Sequence, residues 1–323
     1  AIDDRKMWNT MRMSDRDISD VTGWTYTFLA NGMTPKEGWR GIFRPGERVR
    51  LRFINGSAMT FFDVRIPGLK MEVVASDGQN IRPVKGIDEI RIGVAETYVV
   101  IVQPDAGAYT IFAQAIDRSG YARGTLSSQP EQTAVIPPLD AMPVLSHSDM
   151  GMDHSAMGHG QHSSHDMTNN VTGVTVKMGP HIDMMASNAQ VRLDDPGVGL
   201  RNNGRRVLTY ADIRNLYPTQ DKRPPSREIE LHLTGNMSRY MWSINGIKFA
   251  DAKPIALTFG ERVRITLIND TMMNHPIHLH GMWSELETGD ADYLPRKHTV
   301  IVQPGAKISY LVTADAKGQW AVS

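Results

Sequence analysis

The chain has 323 residues, with 35 Lys+Arg against 35 Asp+Glu, no cysteine and 19 methionines. Zero net charge argues against nucleic acid or an anionic membrane surface as the main partner, and no apolar run reaches the roughly 18–20 residues of a membrane-spanning helix. Without cysteine there is no disulfide, no thiolate nucleophile and no zinc, iron–sulfur or blue-copper site that needs cysteine sulfur, whereas the methionine count points either to soft cores or to thioether sulfur wanted for a soft metal.

The length suggests two domains. At the start, Ala1-Ile2-Asp3-Asp4 has neither the basic nor the apolar region of a signal peptide. Asp3 to Met13 predicts a short helix, capped by Asp3 or Asp4, with Trp8 and Met11 on its apolar face. Residues 1–19 therefore read as a linker and helix.

Over residues 20–136 the pattern has period two. Arg48-Val49-Arg50-Leu51-Arg52-Phe53 alternates as a half-buried strand, with the three arginines on a solvated sheet face. Asn31-Gly32, Pro45-Gly46 and Asp77-Gly78 are turn signals. Short strands without long amphipathic helices between them predict an antiparallel β-sandwich.

Residues 137–204 have a different composition, opening on Pro137-Pro138. From Ser146 to Asn169 there are five histidines (147, 154, 159, 162, 165) and four methionines (150, 152, 157, 167), but no aromatic or β-branched apolar residue. Such a stretch buries too little surface to offset its ordering entropy, so a mobile loop is expected. Thioether suits Cu(I), and imidazole suits Cu(II), zinc or nickel. Met150, Met152, His154, Met157, His159, His162, His165 and Met167 thus form a candidate auxiliary copper loop, with a plain polar linker as the alternative.

Residues 205–323 repeat the first domain. Gly46-Glu47-Arg48-Val49-Arg50 recurs as Gly260-Glu261-Arg262-Val263-Arg264, Asn31-Gly32 as Asn245-Gly246, Ile54-Asn55 as Ile268-Asn269, and Ile101-Val102-Gln103-Pro104 as Ile301-Val302-Gln303-Pro304. Matched blocks in the same order indicate a duplicated domain. The sharpest local signal follows in Asn274-His275-Pro276-Ile277-His278-Leu279-His280-Gly281. On a strand, His278 and His280 share a face, while His275, preceding a proline, is set apart from them. Three imidazoles in so short a stretch are costly to bury unless they are ligands or well hydrogen-bonded. In the first copy Phe61, Val64 and Ile66 take the matching positions, an ordinary core. Met272 and Met273 read as core filler, His298 as a strand residue, and His181 and His232 carry no partner spacing. Trp24, Trp39, Trp242 and Trp283 read as core or rim aromatics.

The HPIHLHG segment, the duplicated GERVR strands and the Met/His-rich insertion resemble a multicopper oxidase, more closely one of the periplasmic copper-resistance type (CopA/PcoA-like). The resemblance spans essentially the whole chain, as the second and third of three cupredoxin domains. It implies an all-β fold of two tandem cupredoxin-like Greek-key β-sandwiches joined by the Met/His-rich loop, the first (20–136) without copper ligands and the second (205–323) with the copper motif. It further implies copper as cofactor, with His275 a ligand of the type 1 copper, His278 of the type 2 copper and His280 of a type 3 copper. Dioxygen would be reduced to water at the expense of Cu(I) or a phenolic reductant, in the periplasm. The sequence departs from the family in two ways. The family's His-Cys-His motif, with a further His and a Met, follows a Gly-x-Trp strand, but here Gly318-Gln319-Trp320 is followed only by Ala321-Val322-Ser323. The family's first domain, with its paired His-x-His ligands, is missing too. The expectation is an incomplete oxidase, inactive alone. The rival readings are a non-catalytic copper-sequestering module and a metal-free interaction module.

Overall fold

A computed structural model of the chain describes residues 16, 18–19, 21–152, 176, 179, 182–236 and 241–323. The expected helix over residues 3–13 lies outside them. Among the described residues the regular structure is almost entirely strand. In the first sandwich, Trp39–Ile42, Phe62–Arg65, Glu89–Ile92, Ala108–Ala115 and Tyr121–Ser127 form one sheet, and Val49–Ile54, Met71–Ser76, Gln79–Ile87 and Thr97–Val102 form the other. The second is built on Arg227–Asn236, Arg262–Asn269 and Ala306–Thr313, while His275–His278 pairs antiparallel with Thr299–Val302 as a separate ribbon.

The alternation in the sequence becomes the two faces of a sheet. Leu51 is buried between exposed Arg50 and Arg52. Phe61, Val64 and Ile66 are buried, as expected for an ordinary core. The repeated GERVR strand meets different neighbours in the second copy. Arg262 is only 3 % exposed and reaches Glu285 at 2.7 Å, and Arg264 is half-buried against Glu287 at 2.8 Å.

The duplication is visible atom by atom at two kinds of position. Asn31-Gly32 and Asn245-Gly246 both turn through the left-handed region, with φ of 49° and 79° in one and 53° and 74° in the other. That is the backbone of a tight hairpin turn, and Asn followed by Gly adopts it at low cost. Asn55 and Asn269 are both buried and make the same set of bonds. Asn55 Nδ2 donates to the Thr60 and Ile92 carbonyls, and its Oδ1 accepts from the Ser57 amide and hydroxyl. Asn269 Nδ2 donates to the Met273 and Val302 carbonyls, and its Oδ1 accepts from the Thr271 amide and hydroxyl. Each asparagine thereby ties a strand end to the loop that leads into the next strand.

The described parts of the stretch between the sandwiches are bound to them. Asp140 accepts from Arg65 at 2.9 Å and from Gln114 at 2.6 Å, and Arg205 reaches Glu89 at 2.6 Å. Buried Asp63 holds Arg91 and Arg118, which also donate to the Val198 and Gly199 carbonyls. Burial alone would push the Asp63 carboxyl up, but the two guanidiniums hold it below the ordinary carboxylate range. The expectation of a mobile loop from Ser146 onward fails over Ser146–Met152. There Ser146 and Asp149 cap each other, Arg192 donates to the Asp149 carbonyl at 2.9 Å, and Arg201 pairs with the Asp149 carboxylate. Composition reveals low apolar content, but not the distant arginines that anchor a short acidic turn.

The paired asparagines give a stability prediction. Asn269→Ala strands two carbonyls and the Thr271 amide in a buried site, which costs about 2–3 kcal/mol. Urea unfolding should show that loss, and a similar one for Asn55→Ala; a change under about 0.5 kcal/mol, the usual span of a neutral surface substitution, would contradict the account.

Candidate metal centre

The histidine-bearing strand runs between two partners. On one side it pairs with Thr299–Val302; on the other, His278 exchanges backbone hydrogen bonds with Ser323 at 2.7 and 3.0 Å, and the His280 amide donates to Ala321. Gly281, at φ 74°, lies directly under the Trp320 indole, where a Cβ would sit 2.2 Å from the ring. Only glycine fits there, so the end of the motif is held by an aromatic lid as well as by its ladder.

The strand divides its histidines as the sequence predicts. His278 and His280 share one face with ring centroids 4.4 Å apart; His278 is half-buried and His280 exposed. His275 lies on the opposite face, edge-on to Trp242 at 4.9 Å. Its ring is so enclosed that burial pushes its pKa down to about 4. Burial also lowers His278, with a hydrogen bond to the His298 carbonyl working against it. Both rings are therefore neutral at pH 7, the state in which imidazole binds metal.

Hydrogen bonds fix which nitrogen is free. His278 Nδ1 lies 2.8 Å from the His298 carbonyl oxygen. A carbonyl only accepts, so Nδ1 carries the proton and Nε2 keeps its lone pair, facing away. His275 Nε2 lies 2.8 Å from the Thr271 hydroxyl. With the hydroxyl proton on Asn269 Oδ1, the ring donates from Nε2 and keeps Nδ1 free. The two histidines thus present different nitrogens to opposite sides of the strand.

Of the candidate auxiliary loop, Met150 is buried and Met152 half-buried in the anchored turn. His154, Met157, His159, His162, His165 and Met167 lie outside the described residues. Met273 is buried and Met272 packs against Phe61, Ile116 and Leu145, both as core filler. Trp39 packs on the first core, whereas Trp24 is 77 % exposed and belongs to neither core nor rim.

Two histidines carry more than the sequence reading gave them. His298 sits between strands, with its ring 5.0 Å from that of His278 and its Nε2 3.9 Å from Asp77 of the first sandwich. His232 has partners after all: Nδ1 is 2.7 Å from Asp270 and Nε2 3.3 Å from Glu230. The Glu230 spacing, two residues along one strand, was the available signal; Asp270 comes from a different strand end and left none.

Two multicopper oxidase family models match the chain, over residues 4–136 and 222–323. The chain belongs to the multicopper oxidase family. It is 52 % identical to copper resistance protein A of Escherichia coli over 99 % of its own length and 60 % of that protein's. It is 54 % identical to the copper resistance protein A homolog of Pseudomonas syringae pv. tomato, over 98 % of this chain and 59 % of the relative. The chain thus spans about 60 % of the length of those relatives. The crystal structure of laccase from Botrytis aclada superposes with a TM-score of 0.57 at 17 % identity, covering 88 % of this chain and 50 % of that one, which shows the cupredoxin-like fold.

Copper is the cofactor of the multicopper oxidase family, and the donor set fits it in part. His278 offers an unprotonated Nε2 beside exposed His280, and imidazole nitrogen is a good copper ligand. No three His, Cys, Asp or Glu side chains converge as a metal site among the described residues. The chain contains no cysteine to supply a thiolate.

His232 gives a pH prediction. Burial opposes its charge, but the Asp270 and Glu230 carboxylates outweigh burial and raise its pKa above the ordinary value. A raised folded-state value means that the ion pairs stabilise fully below about 6.5, the unfolded value, and fade as pH rises through the folded one. The stability gap between the parent and His232→Gln should therefore be widest in mild acid and shrink at alkaline pH. A gap that widens with pH in urea titrations would contradict this.

Proposed function

We propose that this chain is the part of a copper-resistance multicopper oxidase that supplies His275 to an electron-accepting copper and His278 and His280 to the copper centre that reduces dioxygen. The supporting observation is the His278 and His280 pair on one strand face, with the Nε2 lone pair of His278 set free by the His298 carbonyl. In the whole protein, four Cu(I) ions would each give up one electron, and dioxygen with four protons would become two waters; phenols are the alternative reductant. The relatives' names supply copper resistance, and a periplasmic site of action fits the copper-resistance resemblance. The division is 1–19 linker and helix, 20–136 ligand-free sandwich, 137–204 linker with the Met/His-rich loop, and 205–323 copper-motif sandwich. When bound, copper supplies one-electron redox chemistry. The chain's own residues hold the imidazoles in place, and the Trp242 ring packs against that of His275 at 4.9 Å. Family membership adds a geometric point. The Gly318-Gln319-Trp320 segment, after which the family carries His-Cys-His, runs directly into the residues that pair with His278 and His280.

A second reading, a copper-sequestering module, is favoured by the Met/His-rich composition of residues 146–169 and the missing cysteine. The two readings separate experimentally. This chain alone, loaded with copper, should lack the intense blue thiolate band and should not consume oxygen with Cu(I). A blue, oxygen-consuming preparation would overturn the assignment of an incomplete centre.

The loop is tested on its own. Deleting residues 153–169, beyond the anchored turn, should lower Cu(I) stoichiometry while leaving the far-ultraviolet β signal unchanged. Equal stoichiometry with and without these residues would return them to a plain linker.

A further inference from the structure

The His278 tautomer depends on a carbonyl, and that carbonyl is held from the other sandwich. The Asp77-Gly78 hairpin turn of the first sandwich places Asp77 at φ 48° with its side chain buried. Oδ1 accepts from the Thr97 amide at 3.0 Å, which locks the carboxylate to its own domain. Oδ2 faces the second sandwich and accepts from the backbone amides of His298 and Thr299, each at 3.2 Å, and from Lys297 Nζ at 3.0 Å. One carboxylate oxygen therefore grips three consecutive residues. The His298 carbonyl in that segment accepts from His278 Nδ1 at 2.8 Å and from the Leu279 amide at 3.0 Å. Thr299 Oγ1 lies 3.0 Å from the same Nδ1.

We propose that Asp77 is a positioning residue for His278. By clamping the His298 and Thr299 amides it fixes the carbonyl that takes the Nδ1 proton, so that the first sandwich sets the tautomer and ring direction of an imidazole on the second. Outer partners of this kind orient ligating histidines and raise their basicity. The inference rests on His278 being a metal ligand only for its functional meaning; the structural coupling stands by itself.

A merely structural role for the carboxylate would act through Lys297, whose ammonium also pairs with Glu96 at 3.1 Å. Glu96 touches neither the His298 nor the Thr299 amide, which separates the two roles. Glycine retains the left-handed turn at position 77, and Lys297→Met removes the ammonium that would otherwise be stranded. The full chain, labelled with 15N-histidine, is compared as parent, Asp77→Gly/Lys297→Met and Glu96→Gln. Parent His278 should show a slowly exchanging Nδ1–H and an unprotonated Nε2. In the double variant that proton should exchange rapidly between tautomers, and the Zn(II) concentration that half-saturates the His278 Nε2 resonance should rise about tenfold or more. Glu96→Gln should move neither. If the double variant does not fold, Asp77→Asn keeps the turn but offers one oxygen for both sets of amides, and the same readouts apply. An unchanged tautomer and affinity without Asp77, or equal effects from Glu96→Gln, would overturn the proposal. If the parent binds no Zn(II) at His278 while the tautomer still responds to Asp77, the positioning stands and the ligand reading falls. If the parent binds and neither readout responds to Asp77, the reverse holds.

Discussion

Lys297 is fully buried where the two sandwiches meet, and an ammonium in so dry a place has to be matched by nearby negative charge. Its partners Ser76, Asp77 and Glu96 all belong to the first sandwich, at 2.8, 3.0 and 3.1 Å, and the rings of Tyr98 and Tyr210 face it at 5.1 and 5.4 Å. Tyr210 adds a further tie, donating to Glu96 at 2.6 Å while its hydroxyl accepts from the Ile301 amide at 2.8 Å. Carboxylates facing one ammonium hold the Lys297 pKa well above its usual range despite burial, whereas burial pushes Glu96 up. Such a cluster adds little net stability over an apolar replacement, but breaking it in part is costly. Its groups come from both sandwiches, so the cluster ties one to the other directly.

That constraint reaches the histidines within a few bonds. Lys297, His298 and Thr299 are consecutive, and the strand they open pairs with His275–His278. The domain junction and the candidate metal face are therefore one continuous piece of structure. His275 and His278 sit in environments that keep them neutral, and the strand's alternation sends their free nitrogens to opposite sides. Electron acceptance and dioxygen reduction, in the proposed reading, need separate copper centres close together, and one short strand provides that separation.

The sequence carried the local parts of this arrangement plainly. Asn-Gly turns, alternating strands, the repeated asparagines and the two-sided histidine strand all follow from rules that act over a few residues. What it left hidden depends on partners far along the chain. Arg262 shares its motif with exposed Arg48, and it is buried among partners that lie elsewhere along the chain, Glu285, Thr313 and the Arg223 carbonyl. Asp77 reads as half of a turn signal, and nothing nearby reveals that its carboxylate faces a lysine and two amides of the other sandwich. His298 looks like a strand residue until the neighbouring strand brings His278 beside it. Ser146–Met152 looks too polar to order, because Arg192 and Arg201 that anchor it lie well downstream.

In the proposed reading, His278 and His280 present a copper-binding face supported from beneath by the domain junction. Crystals of the full chain soaked in Cu(II), with data collected at the copper edge, test this most directly. The predicted result is an anomalous peak about 2.0 Å from His278 Nε2, the length of a metal–imidazole bond, on the His280 side of the ring. Copper bound only at methionine sulfur or at other surface histidines, with none at His278, would contradict it.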